Sequence, residues 1–332
     1  MLKIGLFGVG HLGRIHARLI KELSDQFEFV GFFDPNEVSA STTIKEYNVS
    51  RFENPLDLIN AVDCIDIVTP TITHFEIAET AIKAGKHVFI EKPITETVDE
   101  GHQLKELADK SKVKVQVGHV ERFNPAFKHA HPYLKDPLFI ESHRLANYNP
   151  RGTDVPVVLD LMIHDLDVIL SCVHASVKRI SASGVAVVSE TPDIANARIE
   201  FENGCVANLT ASRISLKNMR KTRFFQRDAY ISVDFLEKSA EIVKMTTLQD
   251  EPDPFDIVFD LGEGKPKKKI EIFKPEVAPS NAIKEELSAF GQSIENDTIP
   301  PVSLADGLKA LEVAHWIMDE LKRSRSLIKE NI

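Results

Sequence analysis

The sequence predicts an α/β protein of two domains: a doubly wound parallel sheet, then an α+β domain with a large, mostly antiparallel open sheet. Three observations support this prediction. The first third of the chain alternates short apolar runs with amphipathic stretches, a glycine-rich turn follows the first apolar run, and the second half holds long β-rich runs. The length of 332 residues fits two domains, at roughly 150 residues per domain.

The first third is expected to alternate strands with helices. Several runs are apolar at consecutive positions, which is typical of parallel strands buried on both faces. Gly85 follows the third helical pattern at a C′ position, and Thr97 with Glu100 forms a capping-box pattern before the fourth. Such alternation indicates right-handed βαβ units. The expected strands are 3–7, 28–33, 65–69, 87–90 and 114–118, and the expected helices are 11–24, 36–47, 73–84 and 97–110.

The pattern changes after about residue 120. The Asn203-Gly204 pair between two β-rich runs is a strong hairpin signal, so the second sheet should be largely antiparallel. Residues 249–268 are rich in Asp, Pro, Gly and Lys and are expected to form an exposed loop. The expected strands are 177–188, 193–202, 204–212, 222–235 and 239–247, and the expected helices are 121–134, 157–174, 280–294 and 303–324. No Gly/Ser-rich linker separates the two parts, which we place at residues 1–120 and 121–332, with the C-terminal helix a candidate to pack back on the first domain.

Composition excludes several classes of protein. Forty basic and fifty acidic residues give a formal net charge of −10, which argues against nucleic acid or an anionic membrane as the main partner. The three cysteines are far apart and lack metal-binding spacing, so we expect buried free thiols in a reducing compartment. No run of 18 apolar residues predicts a transmembrane helix, and no cleavage site predicts a signal peptide. We therefore expect a cytoplasmic protein.

The segment Gly8-Val9-Gly10-His11-Leu12-Gly13 is a GxGxxG motif between a predicted strand and a predicted helix. In this context the glycines allow a tight turn, a close approach of backbone to a pyrophosphate, and close helix–strand packing. The helix N-terminus then favours the anion. Asp34, 21 residues after Gly13, ends the second predicted strand. A carboxylate there accepts hydrogen bonds from ribose hydroxyls and repels a 2′-phosphate, so the sequence predicts NAD rather than NADP.

Three further segments carry a family resemblance: Thr69-Pro70-Thr71-x-x-His74, Glu91-Lys92-Pro93, and Asp160-x-x-x-His164 followed by Asp167. With these motifs the chain resembles the Gfo/Idh/MocA family of NAD(P)-dependent sugar oxidoreductases over essentially its whole length. The resemblance implies an N-terminal Rossmann domain for NAD, and a C-terminal domain for substrate binding and for assembly into a homodimer or homotetramer. The cofactor-binding residues would be Gly8, Gly10, His11, Leu12, Gly13, Asp34, Thr69, Pro70, His74, Glu91 and Lys92.

The resemblance also implies that Lys92, Asp160 and His164 are catalytic. Oxidation of a secondary alcohol needs a base for the hydroxyl proton, and a histidine near neutrality suits that role. Asp160 and His164 are at i and i+4, on one helical face. Lys92 can stabilise a developing alkoxide or relay the proton, so the choice of proton acceptor between His164 and Lys92 stays open. In the family the Lys–Pro peptide is often cis.

Other polar residues have simpler interpretations. We expect Asp165 to face solvent or to cap an element, and Asp167 to be structural. No HExxH motif occurs, and we predict no metal site. The remaining histidines in the middle of the chain are expected to be polar surface or interface residues, namely His119, His129, His131 and His143.

Two stretches of sequence narrow the class of substrates. Residues 117–125 and 144–152 resemble the branch of the family that oxidises the 3-hydroxyl of a UDP-N-acetyl-hexosamine, whose product a partner aminotransferase converts to an amino sugar. Arginine can bind a diphosphate bidentately. One alternative is an inositol- or glucose-type polyol dehydrogenase. The analogy to those enzymes is weakened by Val157-Val158-Leu159, which stands where many relatives have a Gly-Gly pair. Another is a non-catalytic dinucleotide-sensing regulator. The candidate substrate residues are Arg122, Asn124, Arg144, Tyr148 and Arg151.

Overall fold

The computed structural model describes residues 1–149, 155–249, 251–253 and 255–329, with the side chains of 325–329 left out. These residues form two compact units. Unit 1 comprises Met1–Phe123 and Ser280–Glu312, and unit 2 comprises Asn124–Pro279 and the chain from Val313 onward. The division by contacts therefore assigns 280–312 to the first unit, whereas the sequence division at residue 120 assigned it to the second domain. The physical reason is a shared core, in which Leu287 and Phe290 pack with buried residues of the first 90 positions.

Unit 1 is built on a five-stranded parallel sheet with strand order β2-β1-β3-β4-β5. This order reverses beside β1, so the carboxyl ends of β1 and β3 flank the switch point where doubly wound sheets bind ligands. The predicted doubly wound sheet is confirmed. The strands are β1 (Leu2–Phe7), β2 (Phe27–Phe33), β3 (Cys64–Ile67), β4 (His87–Glu91) and β5 (Val115–Gly118).

Six α-helices lie wholly within the described residues of unit 1. The capping box of Thr97 and Glu100 is present, and Gly85 follows its helix with φ of 73°. The third helix was not anticipated. The helices are α1 (His11–Glu22), α2 (Glu37–Tyr47), α3 (Pro55–Ala61), α4 (His74–Lys83), α5 (Val98–Ser111) and, after unit 2 has intervened, α8 (Ala282–Glu295).

Unit 2 contains a nine-stranded sheet with strand order β13-β14-β12-β11-β10-β6-β9-β8-β7. Neighbouring strands are antiparallel except for the parallel pair β6–β9. The hairpin at Asn203-Gly204 joins β8 to β9, and Gly204 has φ of 85°. The mostly antiparallel sheet is thus confirmed. The strands are β6 (Phe139–Leu145), β7 (Val177–Val185), β8 (Ile194–Phe201), β9 (Val206–Ser212), β10 (Met219–Phe225), β11 (Ala229–Asp234), β12 (Ser239–Thr247), β13 (Ile257–Phe259) and β14 (Lys268–Phe273).

The structure corrects several sequence-predicted elements of this half. Strand β6 was missed, the run 222–235 forms two strands, and β13 lies in the segment expected to be a loop. The expected helix at 121–134 is a 3₁₀ turn, the short helix α6 (Pro125–Ala130) and another 3₁₀ turn. The expected helix at 157–174 is a π-helical turn, Val158–Met162, continued by α7 (Ile163–Cys172). The last helix, α9 (Leu304–Lys329), begins in unit 1 and ends in unit 2.

The structure also bears on the expectations about the cysteines and about membrane-spanning helices. Cys64, Cys172 and Cys205 are buried free thiols, as expected. Of the helices within the described ranges, none combines the length and the apolar character needed to cross a membrane.

Candidate active site

The three glycines of the GxGxxG motif serve different purposes. Gly8 has φ of 87°, and a Cβ there would lie 2.8 Å from the carbonyl oxygen of Val68. A Cβ at Gly13 would collide with the carbonyl oxygen of Gly8, so α1 packs closely on the turn. A Cβ at Gly10 would meet no atom within 4 Å. Two glycines are thus required by packing, while the space over Gly10 is open to a ligand.

The N-terminus of α1 is suited to an anion. Gly10 is its N-cap and supplies no side-chain hydrogen bond, and the first turn contains no acidic residue. Its first backbone N–H groups and its dipole therefore favour a negative group. His11 and Leu12, two predicted cofactor residues, are exposed in this turn. The turn, the open space and the uncapped helix fit a dinucleotide pyrophosphate.

Asp34 ties the end of β2 to the glycine turn. Its Oδ2 accepts the backbone N–H of Val9 at 2.7 Å, and its Oδ1 accepts the N–H of Asn36 at 2.7 Å. The residue is buried. Arg51 donates to the carbonyl oxygen of Asp34 and forms an ion pair with Glu37. Each carboxylate oxygen keeps a further lone pair, so Asp34 can still accept a hydrogen bond from a ribose hydroxyl.

His74 connects the loop after β3 to the end of β4. Its Nε2 lies 2.9 Å from the carbonyl oxygen of Thr69, and its Nδ1 lies 2.9 Å from that of Pro93. Burial lowers the pKa of His74, although both carbonyls oppose this. A neutral ring has one N–H, so His74 donates to one of the two carbonyls. Thr69 is half-buried and also accepts a hydrogen bond from the Thr73 hydroxyl, whereas Pro70 is exposed.

The Glu91-Lys92-Pro93 motif lies where β4 ends. The Lys92–Pro93 peptide is cis. Lys92 is half-buried, and its backbone N–H donates to Oε2 of Glu91 at 3.1 Å. Glu91 pairs with Gly118 of β5, where a Cβ would lie 2.8 Å from the Glu91 carboxyl carbon. Gly118 therefore makes room for the carboxylate that holds the Lys92 peptide.

His119 is a site residue that the sequence interpretation missed. It was expected at the surface or an interface, but it is 1% exposed, so that expectation is wrong. Because Glu91 pairs with Gly118, the next residues, Lys92 and His119, are neighbours. Burial first, and then the charge of Lys92, lower the pKa of His119 to about 3. Within the part of the chain that the structure describes, neither ring nitrogen has a hydrogen-bond partner. A neutral imidazole therefore stands beside Lys92 with its donor and its acceptor available.

The other predicted catalytic residues lie in unit 2. Asp160 is in the π-helical turn and His164 is in the first turn of α7. Both are half-buried. A π-helical turn inside a helix is frequent at functional sites. Asp167 is buried in the same helix.

The predicted substrate residues have different environments. Arg144 forms a buried bidentate ion pair with Asp165, with distances of 3.0 and 2.9 Å. This pair corrects two expectations. Asp165 does not face solvent, and the guanidinium of Arg144, a predicted substrate residue, is already paired with a carboxylate. Asn124 caps α6 and is buried, and Arg122 donates to the carbonyl oxygen of Pro301. Tyr148 is exposed, and Arg151 lies outside the described residues.

Comparison with known proteins agrees with this geometry. Residues 2–119 match the model of an oxidoreductase family with an NAD-binding Rossmann fold, and residues 116–230 match the GFO/IDH/MocA C-terminal domain. The chain is 39% identical over 246 residues to UDP-N-acetylglucosamine 3-dehydrogenase of Acidithiobacillus ferrooxidans, covering 73% of this chain and 76% of that protein. The chain belongs to the Gfo/Idh/MocA family. It is accordingly an NAD(P)-dependent oxidoreductase that acts on CH–OH groups.

Solved structures of Gfo/Idh/MocA relatives extend the comparison. A structure of the Acidithiobacillus ferrooxidans enzyme aligns with a TM-score of 0.86 at 32% identity, covering 97% of this chain and 98% of that one. Scyllo-inositol dehydrogenase from Lactobacillus casei, solved with NAD(H) and scyllo-inositol, aligns with a TM-score of 0.77 at 22% identity, covering 98% of each chain. The second likeness shows a shared fold.

Proposed function

We propose that this protein is an NAD⁺-dependent dehydrogenase that oxidises the 3-hydroxyl of a UDP-N-acetyl-hexosamine. The observation that carries the substrate proposal is the 39% identity to UDP-N-acetylglucosamine 3-dehydrogenase over most of both chains. NAD⁺ is favoured over NADP⁺ because the carboxylate of Asp34 stands at the end of β2, where a 2′-phosphate would be repelled.

The residues of unit 1 fit the proposed cofactor. The uncapped N-terminus of α1 and the space over Gly10 would hold the pyrophosphate, and Asp34 would accept hydrogen bonds from the ribose. When bound, NAD⁺ supplies the hydride acceptor. Lys92 and His119 stand together at the carboxyl ends of β4 and β5, the edge at which parallel sheets bind ligands.

The protein's own residues then handle the proton. We propose that His164 accepts the hydroxyl proton and that Asp160 orients its ring, with Lys92 as the alternative acceptor. The Lys92 ammonium stabilises the negative charge that develops on the oxygen. The neutral ring of His119 adds a hydrogen-bonding group to this edge without adding charge. The ring of His74 keeps the Thr69 and Pro93 backbones in place.

Fewer basic residues are available to bind a diphosphate than the sequence predicts, because Arg144 is paired with Asp165. Arg122 is half-buried, and its Nη2 donates to the carbonyl oxygen of Pro301. We retain Arg122, Tyr148 and Arg151 as proposed contacts of the nucleotide, and we do not retain Arg144. We also propose a cytoplasmic homo-oligomer whose 3-keto product passes to an aminotransferase.

The test is an assay of NADH formation with purified full-length protein, NAD⁺ and a panel of UDP-sugars, free hexoses and inositols. An aminotransferase with its amino donor traps the ketone, because the equilibrium favours the alcohol. We expect turnover of UDP-N-acetylglucosamine or its epimer. Turnover of a free polyol, with none of any UDP-sugar, would show that the enzyme is a polyol dehydrogenase instead. Tight NAD⁺ binding with no turnover on the whole panel would indicate a dinucleotide-sensing regulator.

Lys92→Met distinguishes a catalytic lysine from a structural one. We expect turnover to fall by about a thousandfold, in line with the loss of an oxyanion-stabilising group, while NAD⁺ binding stays within about threefold. Lys83→Met is the matched control, because Lys83 is an exposed lysine of the same unit in an ion pair with Glu79. Equal activity of the two variants would remove Lys92 from the mechanism.

A further inference from the structure

Unit 1 contains a buried cluster of ionisable side chains that the proposed mechanism does not use. His16 comes from α1, Asp66 from β3, Glu91 from β4 and Glu286 from α8. His16, Asp66 and Glu286 have no exposed surface. Nδ1 of His16 lies 2.8 Å from Oδ2 of Asp66, and its Nε2 lies 3.4 Å from Oε1 of Glu91. One imidazole is thus placed between two carboxylates.

Glu286 completes the cluster with its carboxylate, while its backbone carbonyl accepts a hydrogen bond from the Gln116 side chain at 2.7 Å. Within the described ranges, neither of its carboxylate oxygens has a partner. Atoms of Glu286, Glu91 and His16 lie within 4.8 Å of one another. A buried carboxylate with no partner is costly when charged, so it takes up a proton. Burial, and next the charge of Glu91, raise the pKa of Glu286 well above its usual value.

The cluster also favours a charged His16. Burial alone lowers the pKa of the ring, but the charge of Asp66 and its hydrogen bond to the ring, together with the Glu91 carboxylate 3.4 Å away, outweigh burial and raise the pKa well above 6.5. The other groups facing the cluster are the acid Glu121, which acts on Glu286, and the ring of Phe89, whose centroid lies 5.9 Å from that of His16. An imidazolium carries an N–H on both nitrogens; the one on Nδ1 bonds Asp66, and the one on Nε2 faces Glu91 as an ion pair at 3.4 Å without a hydrogen bond.

The cluster reaches the active site through Glu91. One oxygen of the Glu91 carboxylate faces His16, and the other accepts the backbone N–H of Lys92 at 3.1 Å. His16 itself lies on α1, three residues after Gly13 of the glycine turn. A continuous set of contacts therefore runs from Asp66 and the cofactor-binding helix to the peptide of the proposed catalytic lysine.

We propose that His16 is a positioning residue: its imidazolium, held by Asp66, fixes the Glu91 carboxylate and thereby the backbone of Lys92. The expected effect on kcat rests on the proposed function. The expected effect on the Lys92 backbone does not depend on which substrate the enzyme uses. Small displacements of a catalytic group lower the rate steeply, so loss of the contact should be visible in kcat.

The first test measures the protonation of the ring in the full-length wild-type protein. Histidine is labelled with ¹⁵N, and the His16 resonances are assigned by their loss in His16→Gln. We expect both ring nitrogens to be protonated at pH 7.5. Nitrogen shifts of a neutral tautomer would overturn the proposal. One equivalent of a divalent metal in the purified protein that is lost in His16→Gln would also overturn it, because the cluster would then be a metal site.

The second test follows the Lys92 amide by hydrogen exchange and the reaction by steady-state kinetics. In His16→Gln we expect at least about tenfold faster exchange of the Lys92 amide. We also expect about a tenfold lower kcat with KM for NAD⁺ within about twofold, since a positioning residue acts on the rate rather than on binding. His102→Gln is the matched control, an exposed histidine of α5 paired with Glu312.

The outcomes remain separable. Unchanged exchange at Lys92 in His16→Gln overturns the proposal even if kcat falls. Faster exchange in a protein that turns over no sugar supports the positioning role and refutes the proposed function instead. If His16→Gln does not fold, Asp66→Asn provides the second variant: it should lower the His16 pKa and accelerate Lys92 exchange, and unchanged values would refute the connection.

Discussion

The carboxylate of Asp34 accepts the backbone N–H of Val9, with 2.7 Å between Oδ2 and N. The acid that the sequence assigned to the ribose therefore also fixes the glycine turn that would hold the pyrophosphate. Both effects depend on the same side chain, and a change of Asp34 should alter cofactor affinity and cofactor choice together.

Asp34→Asn separates charge from hydrogen bonding, because its amide oxygen can still accept the Val9 N–H. We expect KM for NAD⁺ to rise by about tenfold, the usual loss for one charge-assisted hydrogen bond. The preference in kcat/KM for NAD⁺ over NADP⁺ should fall by at least as much. Asp63→Asn is the control, because Asp63 also accepts a backbone N–H, that of Lys3 at 2.9 Å. A wild-type enzyme that uses both cofactors equally would contradict the prediction.

The glycines give a second prediction. A Cβ at Gly10 meets no atom, so Gly10→Ala should keep its melting temperature within about 2 °C and weaken NAD⁺ binding by tenfold or more. In Gly13→Ala the new Cβ would collide with the carbonyl oxygen of Gly8, so this variant should have a lowered melting temperature. Calorimetry and fluorescence titration with NAD⁺ measure the two effects. Unchanged NAD⁺ affinity in Gly10→Ala would show that the pyrophosphate lies elsewhere.

The sequence predicted those parts of the fold and of the candidate site whose residues lie close together in the chain. The glycine turn, its helix and Asp34 lie within one βαβ unit, so their spacing predicted them. The cluster of His16, Asp66, Glu91 and Glu286 joins positions up to 270 residues apart, and no spacing rule connects them. His119 was missed for a related reason: its burial follows from the pairing of β5 with β4.

Strand β6 shows why the second sheet was harder to predict. Its inward positions include Ser142 and Arg144, so the usual alternation of apolar and polar residues is absent. These polar groups are buried only because each has a partner across the fold. The Ser142 hydroxyl lies 2.9 Å from that of Thr222, and Arg144 pairs with Asp165. A strand stabilised in this way has no signal in the local sequence.

The Arg144–Asp165 pair supports a third prediction. Removal of one partner leaves a buried charge without compensation, so Arg144→Met should lower the free energy of unfolding by about 3–5 kcal/mol. The double variant with Asp165→Leu should recover part of that loss. Urea unfolding measures both. A variant Arg144→Met with wild-type stability and a raised KM for the nucleotide sugar would instead return Arg144 to the substrate site.

Asp193 gives a prediction for acid. Its buried carboxylate accepts three backbone N–H groups, from Val187, Val188 and Ser189, at 2.7, 2.7 and 3.0 Å. Burial opposes ionisation, but hydrogen bonding by Ser189, and then by the Val188 and Val187 N–H groups, outweighs it and lowers the pKa of Asp193 to about 2. The stability from this lowered pKa is complete above the ordinary value near 3.9 and is lost as the pH falls toward 2.

We therefore expect Asp193→Asn to lower the free energy of unfolding by about 2 kcal/mol at pH 7, in line with hydrogen bonds to a charged group. The difference from wild type should shrink below pH 4. Asp25→Asn, at an exposed acid, should show no such change. A difference that is constant from pH 7 to pH 3 would mean that the loss is steric rather than electrostatic.

Glu286 should have the opposite pH dependence. Its pKa is raised in the folded protein, so its contribution to stability is complete below the ordinary value and is lost as the pH rises toward the folded one. Gln has the shape of the protonated acid and does not ionise. We expect Glu286→Gln to match wild type near pH 5 and to exceed it increasingly at alkaline pH, by about 1.4 kcal/mol for each unit of pKa elevation. Glu295→Gln, at an exposed acid of the same helix, is the control for urea unfolding at pH 5, 7 and 9. An advantage that does not grow with pH would show that Glu286 is ionised in the folded protein, and a cation would then have to neutralise the cluster.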